Sequence, residues 1–166
     1  MLLVAVAAAA LAAALNESYF AARRVAIRES AFAEAKARAE ALGRPLVIVG
    51  APDGGPTMGP SCGDITIDIN PTQCPRAIQA DISKPIPLPD ACCVVLVTCV
   101  LELVDDFEAA MSELVRISGG ELYIVRVEPW TLTAYFYPGA KRAVPEEFCH
   151  QAPGNWRTPA PRRFWP

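Results

Sequence analysis

The chain opens on fifteen residues without a polar side chain, MLLVAVAAAALAAAL. Residues 17–42 follow with no Gly or Pro, rich in Ala and carrying five basic and four acidic side chains. Unbroken stretches of strong helix formers predict a helix that continues from the apolar run. Gly43 is placed to stop it, with Pro45 just beyond. The pattern then changes to short apolar runs separated by turn residues. LVIVG (46–50), DITIDI (64–69), AIQAD (77–81), CCVVLVT (92–98) and ELYIVRV (121–127) each have the length of a strand. CCVVLVT is apolar throughout and is expected at the centre of the sheet.

Between the last two runs, Phe107, Met111, Leu114 and Val115 recur on one helical face. Asp105 with Glu108 three residues on reads as a capping box, and Gly119–Gly120 as the helix stop. The loop 51–63, APDGGPTMGPSCG, is too interrupted by Pro and Gly for a helix, and 82–90, ISKPIPLPD, is a Pro-rich connection. Strands alternating with a helix and Gly-rich loops predict an α/β fold. It is an abbreviated Rossmann-like, mostly parallel sheet of about five strands, preceded by a long N-terminal helix. In such sheets ligands bind beyond the carboxyl ends of the strands. Gly50, Asp53, Asp68, Asp81, Thr98 and Cys99 fall at that edge.

The opening run admits three readings: a signal anchor, a cleaved signal peptide, or a helix packed against partner subunits through its small residues. No Lys or Arg precedes the run, which weighs against a signal peptide. Fifteen helical residues reach about 22 Å, against a hydrocarbon core of about 30 Å. Extension through Tyr19, Phe20, Ala21 and Ala22 lengthens it, and Arg23, Arg24 and Arg28 follow at once. The favoured expectation is a single-pass membrane anchor over 1–22 with the globular domain cytoplasmic, by the positive-inside rule. The chain is accordingly divided into an anchor and linker helix (1–42), a folded domain (43–137) and a C-terminal arm (138–166).

Composition and charge refine this. The 166 residues are 52% hydrophobic and 20% charged, with a net charge of −3, which excludes a disordered tail and disfavours a dedicated nucleic-acid binder. The charge is uneven. Residues 43–137 hold five basic and twelve acidic side chains, while 138–166 hold five basic, two acidic, six prolines and four aromatics. Such an arm either wraps its own acidic domain or engages a protein partner. Cys92 and Cys93, adjacent in an apolar run, are expected on opposite faces of a strand as buried thiols of a reducing compartment. Cys62, Cys74, Cys149 and His150 contain the atoms of a zinc site but match no short-range ligand spacing, so no metal is expected.

Residues 77–127 carry a more specific pattern. An acid follows the third strand (Asp81), then come an LP-x-D turn (LPDA), an apolar strand, LELVDD, an amphipathic helix with ELVRI, Gly-Gly and a strand. This resembles the second half of the class I S-adenosylmethionine-dependent methyltransferase family. Upstream, VIVGAPDGG stands where that family has its glycine-rich first loop, and DITIDINP where it has the strand whose acid binds ribose. The resemblance covers about 46–127. It implies S-adenosyl-L-methionine as cofactor. Gly50, Asp53 and Gly54 would lie near its methionine part, Asp68 on the ribose hydroxyls, and Asp81 and Ile82 beside the adenine. Thr98, Cys99 and Glu102 would form the floor near the methyl group. No catalytic base is assignable.

The chain departs from the family in four places. Ile48 and Val49 replace an acidic position, no helix follows the first loop, and only a short linker joins strands two and three. Leu103 stands where a histidine is frequent. The implied function is a membrane-anchored methyltransferase-like protein acting on an unspecified acceptor. The alternative is a catalytically silent subunit of this fold in a larger membrane or viral assembly, docked through its helix and arm.

Overall fold

The structure is a computed structural model. It describes residues 2–50, 62–126, 139–145 and 148–149. The elements are α1 (Leu2–Leu42), β1 (Leu46–Val49), β2 (Ile65–Asp68), β3 (Ala77–Gln79), β4 (Val94–Thr98), α2 (Phe107–Ser118) and β5 (Leu122–Val125). All five strands are parallel, in the order β3-β2-β1-β4-β5. The chain moves outward in one direction through β1, β2 and β3, then returns to the middle and moves the other way through β4 and β5. The expected parallel α/β sheet of five strands is therefore present, with β1 and β4 paired at its reversal point.

Alternate residues of the central strands feed two separate cores, as the two-residue period of a strand requires. Val47, Val49, Val95, Val97 and Ile124 pack with α2 through Ala110, Met111, Leu114 and Ile117, and with Ile82 and Ile86 of the β3–β4 connection. Leu46, Ile48, Val94, Leu96 and Val125 pack on the other face against Ile27, Ala31, Ala35 and Ala39 of α1. Three alanines at four-residue spacing form a smooth stripe that lets the helix lie close to the β-branched sheet surface. Arg38 adds a bidentate pair with Glu121 at the start of β5 (2.9 and 2.6 Å).

The second half of α1 is thus a layer of the folded domain. Among the described residues none before Ile27 belongs to either core, and Val6, Leu11, Leu15 and Tyr19 are exposed. Among the described residues no helix is long and apolar enough to cross a membrane. The transmembrane span expected over 1–22 does not reach that measure. The polar Asn16 and Glu17 interrupt a run whose reach of about 22 Å is already short of a bilayer.

The helix after β4 begins one residue later than the capping box predicts. Asp106, not Asp105, is the N-cap, accepting from the Ala109 amide at 2.9 Å, and Gly119 ends the helix in the left-handed region. Asp105 instead pairs with Lys141. That contact belongs to a return of the chain over the domain: Val144 and Cys149 are buried, and Phe148 packs toward Phe107. The remainder of the arm, with Trp156, Phe164 and Trp165, lies outside the described residues, as does His150.

Two cysteine expectations change. Cys62 and Cys74 form a disulfide with a Cα–Cα separation of 5.6 Å, a pairing that the reading of a reducing compartment did not anticipate. The bond joins the residues before β2 to the linker before β3, where a parallel crossover usually carries a helix and this chain has only residues 69–76. Cys92 and Cys93 precede β4 rather than belonging to it, and both pack on the α2 side. There the amides of Ala91 and Cys93 bond the last carbonyls of α2. Burial pushes the Cys93 thiol up to about 12.

The ELVRI and LPDA motifs find a structural use in Arg116. Its five N–H groups meet five acceptors: both oxygens of Glu113, Asp90, and the carbonyls of Ile86 and Leu88. A guanidinium has five donors, so none is left over. Glu113 also accepts the Ile86 amide at 2.5 Å. The Pro-rich connection is therefore clamped to α2 by side chains rather than by secondary structure.

Two expectations follow for stability. Replacing Cys62 and Cys74 by serine should lower unfolding free energy by about 3 kcal/mol, from the chain entropy released by a loop of this size, measured by denaturant titration. The Arg116 hydrogen bond, then the Ile86 amide, hold the Glu113 carboxyl below the usual carboxylate range against the opposing effect of burial. A depressed carboxyl stabilises the fold above its unfolded pKa and loses that contribution as pH falls through the folded one. Glu113→Gln should cost about 1–2 kcal/mol at neutral pH and flatten the acid limb of the stability profile.

Candidate functional site

Gly50 follows β1, Asp68 ends β2, Thr98 ends β4 and Cys99 follows it, so the parallel arrangement brings all four to one edge. Asp81 and Ile82 arrive there from the turn after β3. A cleft of about 390 Å³ opens at this edge and is lined by these six residues. That volume lies within the range of small-molecule sites, and reversal points of parallel sheets are where such sites form.

Gly50 lines the cleft with φ +83. Its amide donates to the Ile67 carbonyl at 2.9 Å, and its carbonyl accepts from Thr98 Oγ1 at 3.0 Å. A Cβ at this position would overlap the Val100 side chain and lie 2.9 Å from the Thr98 carbonyl oxygen. Both the backbone conformation and the space therefore require glycine. Thr98 closes the floor by joining β1 to β4.

The two acids are held by their own turns. Asp68 Oδ1 accepts the Asn70 amide at 2.8 Å. Asp81 Oδ1 accepts the Ser83 amide at 3.0 Å and the Ser83 hydroxyl at 2.6 Å. These Ser83 hydrogen bonds, more than the Lys84 ammonium 3.7 Å away, keep the Asp81 carboxyl below the usual carboxylate range. Both carboxylates are thus oriented, and Asp81 stays ionised at neutral pH.

Glu102 is buried but is not among the residues lining the cleft. A turn closed by the Leu103 amide on the Val100 carbonyl (2.8 Å) brings Leu103 to the cleft instead. The Glu102 carbonyl accepts the Lys141 amide at 2.7 Å, fastening the returning arm. Asp53 and Gly54 lie outside the described residues.

One residue of the cleft is not apparent from sequence. Arg28, grouped there with the arginines flanking an anchor, lines the cleft from α1 and is 6% exposed. Its Nη2 donates to Cys99 Sγ at 2.8 Å. The available signal is its position beside Ile27, the first member of the buried 27–31–35–39 stripe. A charge next to such a stripe is carried inward with it.

Gly50→Ala should destabilise the domain by about 2–4 kcal/mol, through overpacking together with a strained left-handed residue, as read by thermal or denaturant unfolding. Compared with known proteins, the chain matches no family model, no curated sequence and no solved structure.

Proposed function

We propose that the cleft binds S-adenosyl-L-methionine and that the protein is a methyltransferase-like enzyme. The observation that carries this reading is the placement of Gly50, Asp68 and Asp81 at the ends of three adjacent strands around one cleft at the β1/β4 reversal point. The residues present are compatible with the group. Gly50 offers no Cβ to obstruct a ligand lying on the β1 end. Asp68, at the tip of β2, has the position and charge to accept hydrogen bonds from vicinal hydroxyls. Ile82 supplies an apolar surface beside the ionised Asp81, as suits an aromatic base with polar edges. When bound, the group supplies an electrophilic methyl on a sulfonium. The chain's own contribution is then to bind, orient and exclude water, which lowers the barrier by positioning.

A second reading, a catalytically silent subunit with this fold, is favoured by a different observation. The half of α1 beyond the domain exposes Val6, Leu11, Leu15 and Tyr19. A helix with large apolar side chains in water is suited to docking on another protein or on a membrane. In this reading the cleft is vestigial and the helix does the work.

Calorimetry separates the two, performed on the full chain because α1 forms one face of the core. The enzyme reading expects saturable heat with S-adenosyl-L-methionine and about tenfold or greater weakening in Asp68→Ala, from loss of charge-assisted hydrogen bonds. No binding at millimolar ligand by a folded chain would leave only the scaffold reading.

A further inference from the structure

The Cys62–Cys74 disulfide ties a fixed point of the fold to a loosely held one. At the Cys62 end, Gly63 is wedged against the start of β1: a Cβ there would lie 2.6 Å from the Leu46 carbonyl oxygen. Asp64 accepts the Leu46 amide at 2.8 Å, and β2 then runs in register with β1. At the Cys74 end lies the linker 69–76, which contains no helix or strand and is mostly exposed. None of its residues belongs to either buried core. The Asn70 amide bonds the Asp68 carboxylate at 2.8 Å and the Cys74 amide bonds Thr72 Oγ1 at 3.1 Å. Gln79 Nε2 donates to the Ile69 carbonyl, also at 3.1 Å. Segments held by such local contacts, outside a core, open at low free-energy cost.

Ile69, Asn70, Pro71 and Thr72 of this linker line the cleft next to Asp68 and form its wall on the β2 side. Neither bonded cysteine lines the cleft, so the bond can change state without touching a ligand. The six cysteines divide in the same sense. Cys93, Cys99 and Cys149 are free and buried, and Cys92 is free and half-buried. Of the six, Cys62 is the exposed one, and it is bonded to the half-buried Cys74. Exposed disulfides belong to the labile and regulatory class, because an attacking thiolate can reach them. Four thiols kept reduced beside one accessible disulfide also departs from the disulfide-dense frameworks of small secreted domains.

We propose that the Cys62–Cys74 bond is a thiol-sensitive latch on the cleft. Bonded, it holds the wall 69–72 in its binding position; reduced, it frees that wall and weakens binding. The co-reactant is a low-molecular-weight thiol of the glutathione class. Its thiolate attacks the Cys62 sulfur to form a mixed disulfide, and Cys74 leaves as a thiolate and takes up a proton. A second thiolate attacks the co-reactant's sulfur in the mixed disulfide, and Cys62 leaves and is protonated in turn. The protein disulfide gains two electrons and two protons, and two small thiols become one small disulfide. The exchange balances and runs in either direction with the thiol-to-disulfide ratio. Its effect on a ligand rests on the S-adenosyl-L-methionine reading of the cleft; the opening of the latch does not.

The test equilibrates the native full chain with glutathione at varied ratios of reduced to oxidised form. Alkylation with peptide mass mapping counts the Cys62 and Cys74 thiols, and amide hydrogen exchange is followed in both states. The bond should open under millimolar reduced glutathione and reclose when the ratio is reversed. Amides of 69–76 should then exchange about tenfold or more faster in the open form, with β1, β4 and α2 little changed. S-adenosyl-L-methionine should bind the open form about tenfold more weakly by calorimetry. The variant with both Cys62→Ser and Cys74→Ser should reproduce the open form whatever the glutathione ratio. A bond that stays closed under millimolar reduced glutathione overturns the proposal. So do unchanged exchange in 69–76, loss of protection throughout the sheet, or equal ligand affinity in the two states. If the ligand binds neither state, the reading of the cleft fails, and the exchange data alone decide the latch.

Discussion

A parallel sheet exposes apolar side chains on both faces, and each face must be covered before the strands are stable in water. Here the cover is minimal: α2 on one side and the second half of α1 on the other. The close seat of α1, made possible by Ala31, Ala35 and Ala39, governs much of the rest. It buries Leu46, Ile48, Val94 and Leu96 at the centre of the sheet, and it carries Arg28 to the cleft. A helix with bulkier residues at these positions would stand farther from the strands and place that guanidinium elsewhere. The same packing event therefore completes the core and introduces the cleft's buried cation.

The economy of the fold recurs in its connections. A crossover helix between β2 and β3 would ordinarily hold the outer strand; the Cys62–Cys74 bond and a short linker occupy that place. The Pro-rich passage into β4 forms no regular backbone ladder. Arg116 and Glu113 instead satisfy its amide and carbonyls from α2. Each substitution exchanges many weak backbone interactions for a few specific side-chain contacts. A sequence of this length can form a doubly covered sheet only if such local fastenings replace missing elements.

Much of the fold was legible because its signals are local. Short apolar runs bounded by Gly, Pro and Asp identified all five strands to within two residues at their ends. Periodicity and Gly119 identified α2. The cap was misplaced by one residue because Asp105 and Asp106 carry the same signal, and only the backbone geometry selects between them. The candidate site was legible where strand ends define it, at Gly50, Asp68, Asp81, Thr98 and Cys99. It was misread at Glu102, because the turn after β4 directs Leu103 into the cleft. Arg28 was missed because it is 71 residues from Cys99 in sequence, and no local pattern reports a contact across that distance.

The division follows from the range of the forces involved. Strand and helix identity, the carboxyl-edge location of the acids and the need for glycine at the end of β1 follow from hydrophobic period and backbone chemistry within a few residues. The sequence by itself determined these. Which face α1 covers, which cysteines bond, what Arg116 clamps and which cation meets Cys99 depend on segments brought together after the sheet has formed. Only the tertiary structure decided them, because apolar burial along α1 is almost indifferent to whether its stripe meets lipid, a partner or the protein's own strands. The closing contacts between α1 and the strands select the last of these for residues 27–39.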